Sequence, residues 1–136
     1  MRAPVRLAVM TSALIASFAL AVAAEPLTKR DTQGPVTVSA TIMMPVATDV
    51  PLRLKIVLDT HSVGLDDFKF EEAVALRAAD GTDVAPTTVE AKGGGHHREA
   101  VLTFPPTGSA AQVQVVVKNI GGVVERSFAW DLSTAR

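Results

Sequence analysis

Residues 35–132 predict an all-β domain, an immunoglobulin-like antiparallel β-sandwich of about seven strands. Three observations carry this. Apolar and polar residues alternate with period two in several runs rich in Val, Ile and Thr. Turn signals built on Pro, Gly and Asp recur at roughly 8–12-residue intervals. Charged residues make up 20% and hydrophobic residues 48% of the chain, a balance that suits one packed core and excludes a disordered chain. A small Greek-key barrel is the alternative, because strand count alone does not separate the two.

The elements follow in order. Val36, Val38, Ala40, Ile42 and Met44 share one parity, with Thr37, Ser39, Thr41 and Met43 between them. This is a half-buried strand, and it assigns Met44 to the core face rather than to a copper-ligating role. Pro45 and Pro51 bracket a turn around Thr48-Asp49. Leu52, Leu54, Ile56 and Leu58 then alternate with Arg53 and Lys55 in a second strand. Within residues 61–70, Ser62 and Asp66 are helix-cap types and Gly64 is a breaker, which predicts a short helical turn. Residues 71–79 are expected as a strand ending in the hairpin signal Asp80-Gly81. Residues 83–91 form a weaker strand interrupted by Pro86, as at a sheet edge. Gly93-Gly94-Gly95 is a flexible loop. Strands over 97–104, 111–120 and 123–132 complete the set, the last two joined through Gly121-Gly122. In the last strand Phe128 and Trp130 anchor the core, with Arg126 and Ser127 nearer solvent.

The first 24 residues read as an address. Arg2 and Arg6 precede an uncharged run, Leu7 to Ala24, that ends in Ala21-Val22-Ala23-Ala24. A basic start, an apolar middle and small residues at the end describe a secretory signal peptide. An uncleaved anchor is the competing reading, and the run is short for one. The remaining 112 residues carry 11 basic and 14 acidic side chains, a net charge of −3. Residues 25–34 form a polar, flexible leader before the single domain at 35–132. The expected product is a periplasmic or secreted domain with no membrane span after cleavage.

Composition excludes several chemistries. The chain has no Cys, so disulfides, thiolate metal sites and Cys nucleophiles are out. No basic stripe points to nucleic acid. No nucleophile elbow surrounds Ser62, and no helical zinc-hydrolase motif is present. The domain is read as non-enzymatic.

One constellation stands out. His61 lies in Asp59-Thr60-His61-Ser62, and His96 and His97 lie in Gly93-Gly94-Gly95-His96-His97-Arg98. Neutral imidazole is a common ligand for Cu²⁺ and Zn²⁺, which makes His61, His96, His97 and Asp59 the candidate metal ligands. Adjacent residues on a strand face opposite ways, so His61 with one of His96 or His97, plus a carboxylate from Asp59 or Asp66, is the preferred set. Asp59 would otherwise orient a histidine from behind. The competing reading is structural: His61 fastens the glycine loop through a backbone carbonyl, and Arg98 pairs with Asp59 or Asp66 to close the corner. The acidic pairs Asp66-Asp67 and Glu71-Glu72 read as a solvated edge.

The Thr-His-Ser and Gly-Gly-His-His-Arg segments, 35 residues apart from His61 to His96, resemble a signature of a family of uncharacterised small exported proteins. The resemblance covers about residues 52–130 and includes Leu102-Thr103-Phe104-Pro105 and Gly121-Gly122-Val123-Val124-Glu125-Arg126. It implies that the two histidine loops act as one unit. Two functions follow from these readings. One is an exported binding module holding copper or zinc at the histidine corner. The other is an envelope protein-interaction module in which the corner is structural and a partner adds a strand to the 83–91 edge.

Overall fold

The structure is a computed structural model that describes residues 26–133. The signal segment read over residues 1–24 lies outside the described residues. Nine strands form two antiparallel sheets. The first sheet takes β1 (Thr28–Asp31), β2 (Val36–Met43), β3 (Pro51–Thr60), β7 (His97–Pro106) and β6 (Thr88–Gly94), in the order β1-β2-β3-β7-β6. The second takes β5 (Asp83–Val84), β4 (Val74–Arg77), β8 (Gln112–Ile120) and β9 (Val123–Asp131), in the order β5-β4-β8-β9. With β2, β3, β7 and β6 standing as strands A, B, E and D, and β5, β4, β8 and β9 as C′, C, F and G, this is the immunoglobulin-like arrangement. Strand β1 is an addition outside A. Two open sheets, each with its own edges, replace the barrel alternative.

Period-two alternation builds the core. Leu52, Leu54, Ile56, Leu58 and Thr60 of β3 point inward, as do Ala100, Leu102 and Phe104 of β7. They meet Val113, Val115 and Val117 of β8 and Phe128 and Trp130 of β9. The Phe128 and Trp130 rings stack at 6.4 Å between centroids. Each fully buried side chain of this size contributes about 1.5–3 kcal/mol.

Five expectations change. The leader at 25–34 is not loose, because Thr28–Asp31 pairs with Asp31↔Val38 to Thr28↔Thr41 register. Residues 71–79 divide: Phe70–Ala73 is one helical turn (α1) held by buried Phe70, and only Val74–Arg77 is strand. The 83–91 strand also divides, β5 in one sheet and β6 in the other, and Pro86, which lacks the ladder N–H, sits in the crossing. Met44 is half exposed, because β2 ends at Met43 and the parity is lost before Pro45.

The fifth concerns Arg126, which is buried among the inward residues of β9 rather than near solvent. Its guanidinium reaches the other sheet. Nη1 donates to the Asp31 carboxylate at 2.9 Å, and Nη2 donates to the Ile120 carbonyl at 3.3 Å. Trp130 Nε1 donates to the Leu27 carbonyl at 3.1 Å, and Lys29 Nζ lies 5.7 Å above the Trp130 ring. Strand β1 therefore closes one side of the sandwich against β9. Burial raises the Asp31 pKa, but hydrogen bonds from Gln33 and the charge and hydrogen bond of Arg126 outweigh it, and the carboxyl sits below its ordinary value.

The strands also give the molecule two distinct poles. The described chain starts and ends at one, where the Ile42 N–H bonds the Leu27 carbonyl and Gln112 pairs with Asp131. The 61–69, 95–96 and 121–122 connections lie at the other.

Removing one partner of a buried ion pair leaves the other charge uncompensated. Asp31→Ala is expected to lower unfolding free energy by about 3 kcal/mol, read by chemical denaturation. Because the folded pKa of Asp31 is lowered, its contribution is complete above the ordinary aspartate pKa and is lost as pH falls through the lowered value. The gap between the parent and Asp31→Ala should therefore narrow in strong acid and stay constant from pH 5 to 8.

Candidate functional site

The loop-bearing pole gathers the residues singled out by sequence. Strand parity fixes their directions. On β7, Arg98 shares the inward side with Ala100, Leu102 and Phe104, while His97 and Glu99 face outward. On β3, Asp59 faces outward directly opposite His97.

Arg98 closes the end of the sandwich. Its Nη1 donates to the carbonyls of Phe68 (2.7 Å), Leu65 (2.9 Å) and Asp66 (3.3 Å). Its guanidinium carbon lies 5.1 Å from the centre of the Phe70 ring, and Phe70 meets Phe68 edge-on at 5.0 Å. The guanidinium thus supplies donors to a bend of carbonyls that no strand can satisfy.

The bend answers in kind. Asp66 Oδ1 accepts the Gly95 N–H at 2.9 Å, and the Leu65 N–H donates to the Gly95 carbonyl at 2.9 Å. The Thr60 N–H donates to the His96 carbonyl at 3.0 Å. Thr60 is buried, and its hydroxyl donates to the Pro35 carbonyl at 2.8 Å while accepting from the Ser62 and Val63 N–H groups. The 61–69 loop and the β6–β7 turn are therefore one fastened body.

The glycines have structural reasons. Strand β6 runs through Gly94, so two of the three glycines belong to a strand rather than to a flexible loop. Gly93 has φ +87°, and a Cβ there would lie 2.5 Å from the His97 carbonyl oxygen. A Cβ on Gly94 would lie 2.9 Å from Asp66 Oδ1. Close backbone approach is what Gly permits.

The four proposed metal ligands do not form one group. Among the described residues, no three His, Asp or Glu side chains are placed to hold a metal ion. His97 is committed to Asp59, Nδ1 to Oδ1 at 2.5 Å, on the outer face of the first sheet. His96 lies in the turn and His61 in the loop, both exposed, and neither imidazole has a partner among the described residues. The separation follows from the strand rule: His97 is the first residue of β7, whereas His96 precedes it in the turn. His61 does not fasten the glycine loop, a task taken by Asp66 and Leu65. Arg98 binds backbone carbonyls rather than the carboxylate of Asp59 or Asp66, because its parity turns it inward.

Beside the clamp lies an open cleft of about 570 Å³ between the 61–69 loop and the β8–β9 hairpin. Val63, Leu65, Phe68, Lys69, Lys118 and Asn119 are among its lining. Lys118 is paired with Asp83, and Asp83 also takes Arg77 at 2.8 Å. Hydrogen bonds from Arg77, then Lys118, hold the Asp83 carboxyl well below its ordinary value. Asn119 has φ +53°, a left-handed conformation that Asn tolerates better than most residues. Strand periodicity alone singles out neither Asn119 nor the role of Thr60. The Asn-Ile-Gly-Gly run was the available hint for the former.

No helix among the described residues is long and apolar enough to cross a membrane. Compared with protein-family models, with curated proteins and with solved structures, the chain matches none.

Arg98→Met keeps length and removes the donors. It is expected to lower stability by about 3 kcal/mol, since hydrogen bonds from a charged donor are among the stronger ones. Gly93→Ala, strained in backbone and clashing with a carbonyl, should lower it by about 1–3 kcal/mol. His97→Ala, in an exposed pair, should change it far less. Urea unfolding of the three variants checks the ranking.

Proposed function

We propose that this chain is an exported, non-enzymatic protein-interaction module of the cell envelope, delivered by the signal segment at residues 1–24 to the periplasm or the exterior. The observation that carries this reading is the open edge of β6. Thr88–Gly94 is paired on one side with β7 and is exposed along nearly its whole length. The other edges are shorter or tied down. Strand β5 has two residues and β1 has four, and β9 is linked to β1 through Arg126 and Trp130.

Natural sheet edges are commonly blunted by Pro, by charged side chains, which β6 has in Glu90 and Lys92, by inward charges or by short length. Strand β6 has no Pro, and the residues on its inward side are Val89, Ala91 and Gly93. Such an edge suits an extended segment of a partner, with main-chain hydrogen bonds supplying affinity and alternate side chains supplying choice. The outward Glu90 and Lys92 would flank that segment. Lys92 already pairs with Glu99 at 2.8 Å, which keeps the row ordered. In this reading Arg98, Asp66 and Leu65 are the fastening that sets the end of β6 and β7.

A photo-crosslinking residue placed at Glu90 in the exported chain, within its own envelope, tests the reading. A discrete adduct of defined mass from position 90, absent from Gln114 on the outer face of the second sheet, is the expected result. A chain that gives no adduct from β6 and runs as a free monomer would rule it out.

A further inference from the structure

We propose that β6 docks on β6 of a second copy of this chain, antiparallel about a two-fold axis at Ala91. The inference rests on the reading of β6 as a docking edge and names the partner.

The ladder identifies the free backbone groups. The Thr60 N–H donates to the His96 carbonyl at 3.0 Å, one step beyond the facing pair Asp59 and His97. Thr60 with His96, Leu58 with Arg98 and Ile56 with Ala100 are therefore the hydrogen-bonded pairs of β3 and β7. Alternation turns the amides and carbonyls of His97, Glu99 and Val101 toward β6. The Thr103 carbonyl keeps the same parity and accepts the Thr87 N–H at 2.7 Å. Gly94, Lys92 and Glu90 face His97, Glu99 and Val101 and spend their own backbone groups on them. Val89 and Ala91 are left with an N–H and a C=O each, directed out of the open edge. The α1 turn lies next to β6, yet every β6 residue except half-buried Val89 is exposed.

The side chains choose the occupant. About Ala91, the run Val89-Glu90-Ala91-Lys92-Gly93 is its own complement. Ala91 meets the second copy's Ala91, and the two exchange N–H and C=O bonds. Glu90 meets the second copy's Lys92 on both sides of the axis. Val89 meets the second copy's Gly93, a branched residue against the smallest one. An axis moved to Glu90 or to Lys92 sets that charge against itself, which disfavours it. The charges that discourage an arbitrary strand thus select this register. They are also free to do so. Glu90 has no partner among the described residues, whereas Glu99 takes both Lys92 at 2.8 Å and Lys55 at 3.3 Å. Lys92 turns to the second copy's Glu90 while Lys55 keeps Glu99. The contact uses the same patch on both copies, so it closes at two and leaves no β6 edge open.

Sedimentation of the purified exported chain tests the proposal with Glu90→Lys, Lys92→Glu and their equimolar mixture. The parent is expected to dimerise reversibly. Each variant alone sets like charges opposite one another on both sides of the axis and should self-associate about tenfold more weakly. The mixture restores both opposite-charge pairs and should form a heterodimer as strong as the parent dimer. Both positions are exposed, and retained cooperative melting verifies that the variants fold. A monomeric parent overturns the proposal. So do single variants that dimerise like the parent, or a mixture that associates no better than its components. Photo-crosslinking at Glu90 separates this failure from that of the docking edge itself. With a monomeric parent, an adduct to a different protein overturns the second copy and keeps β6 as the edge, whereas no adduct overturns both.

Discussion

The 61–69 loop and the β6–β7 turn depend on where one guanidinium goes. Arg98 enters the end of the sandwich from the inward side of β7 and meets the carbonyls of Leu65, Asp66 and Phe68. The bend meets one of its own acceptors, the Leu65 carbonyl, through the Phe68 N–H at 3.1 Å; a buried carbonyl without a donor is costly. The arginine removes that cost and lets the 61–69 loop fold down onto the core, where Leu65 and Phe70 are buried. Asp66 then becomes available to the Gly95 amide, and the two loops hold each other. Gly94 follows from the same constraint, because the turn must come close enough to meet Asp66.

A second arginine does comparable work across the sheets. Arg126 is buried in β9 and reaches Asp31 in β1, with Gly121 packed close above it. One of its nitrogens, Nε, is buried without a partner among the described residues. Burying this charge is tolerable because Asp31 and the Ile120 carbonyl meet the other two nitrogens. The two arginines divide the tasks: Arg126 joins the sheets along one side, and Arg98 seals the loops at one end. Both termini of the described chain lie at the opposite pole.

The sandwich was readable because period two is a strong signal when β-branched residues carry it, as in β2, β3 and β8. The two sheets of β5 and β6 were not readable as such. Pro86 marked an interruption, but a crossing between sheets depends on partners distant in sequence. Strand β1 was hidden because Thr-Lys-Arg-Asp looks like polar leader, and its stabilising contacts come from Arg126 and Trp130, some hundred residues away. Polar residues read from sequence alone default to solvent, which is why Arg126 was placed outside. The histidine corner was legible as a meeting of two loops. Which side chains would do the fastening was not, since that is decided by strand parity at Arg98 and by the close approach of Gly94 to Asp66.

The central claim is that the Arg98 guanidinium holds the 61–69 loop and the β6–β7 turn as one body. Amide hydrogen exchange in Arg98→Met tests it most directly, because side-chain length is kept and the Nη1 donor to the three carbonyls is lost. The account predicts that the amides of Leu65 and Gly95 lose protection together, while Val115 in the middle of β8 retains it. Unchanged protection at Leu65 and Gly95 in that variant would contradict it.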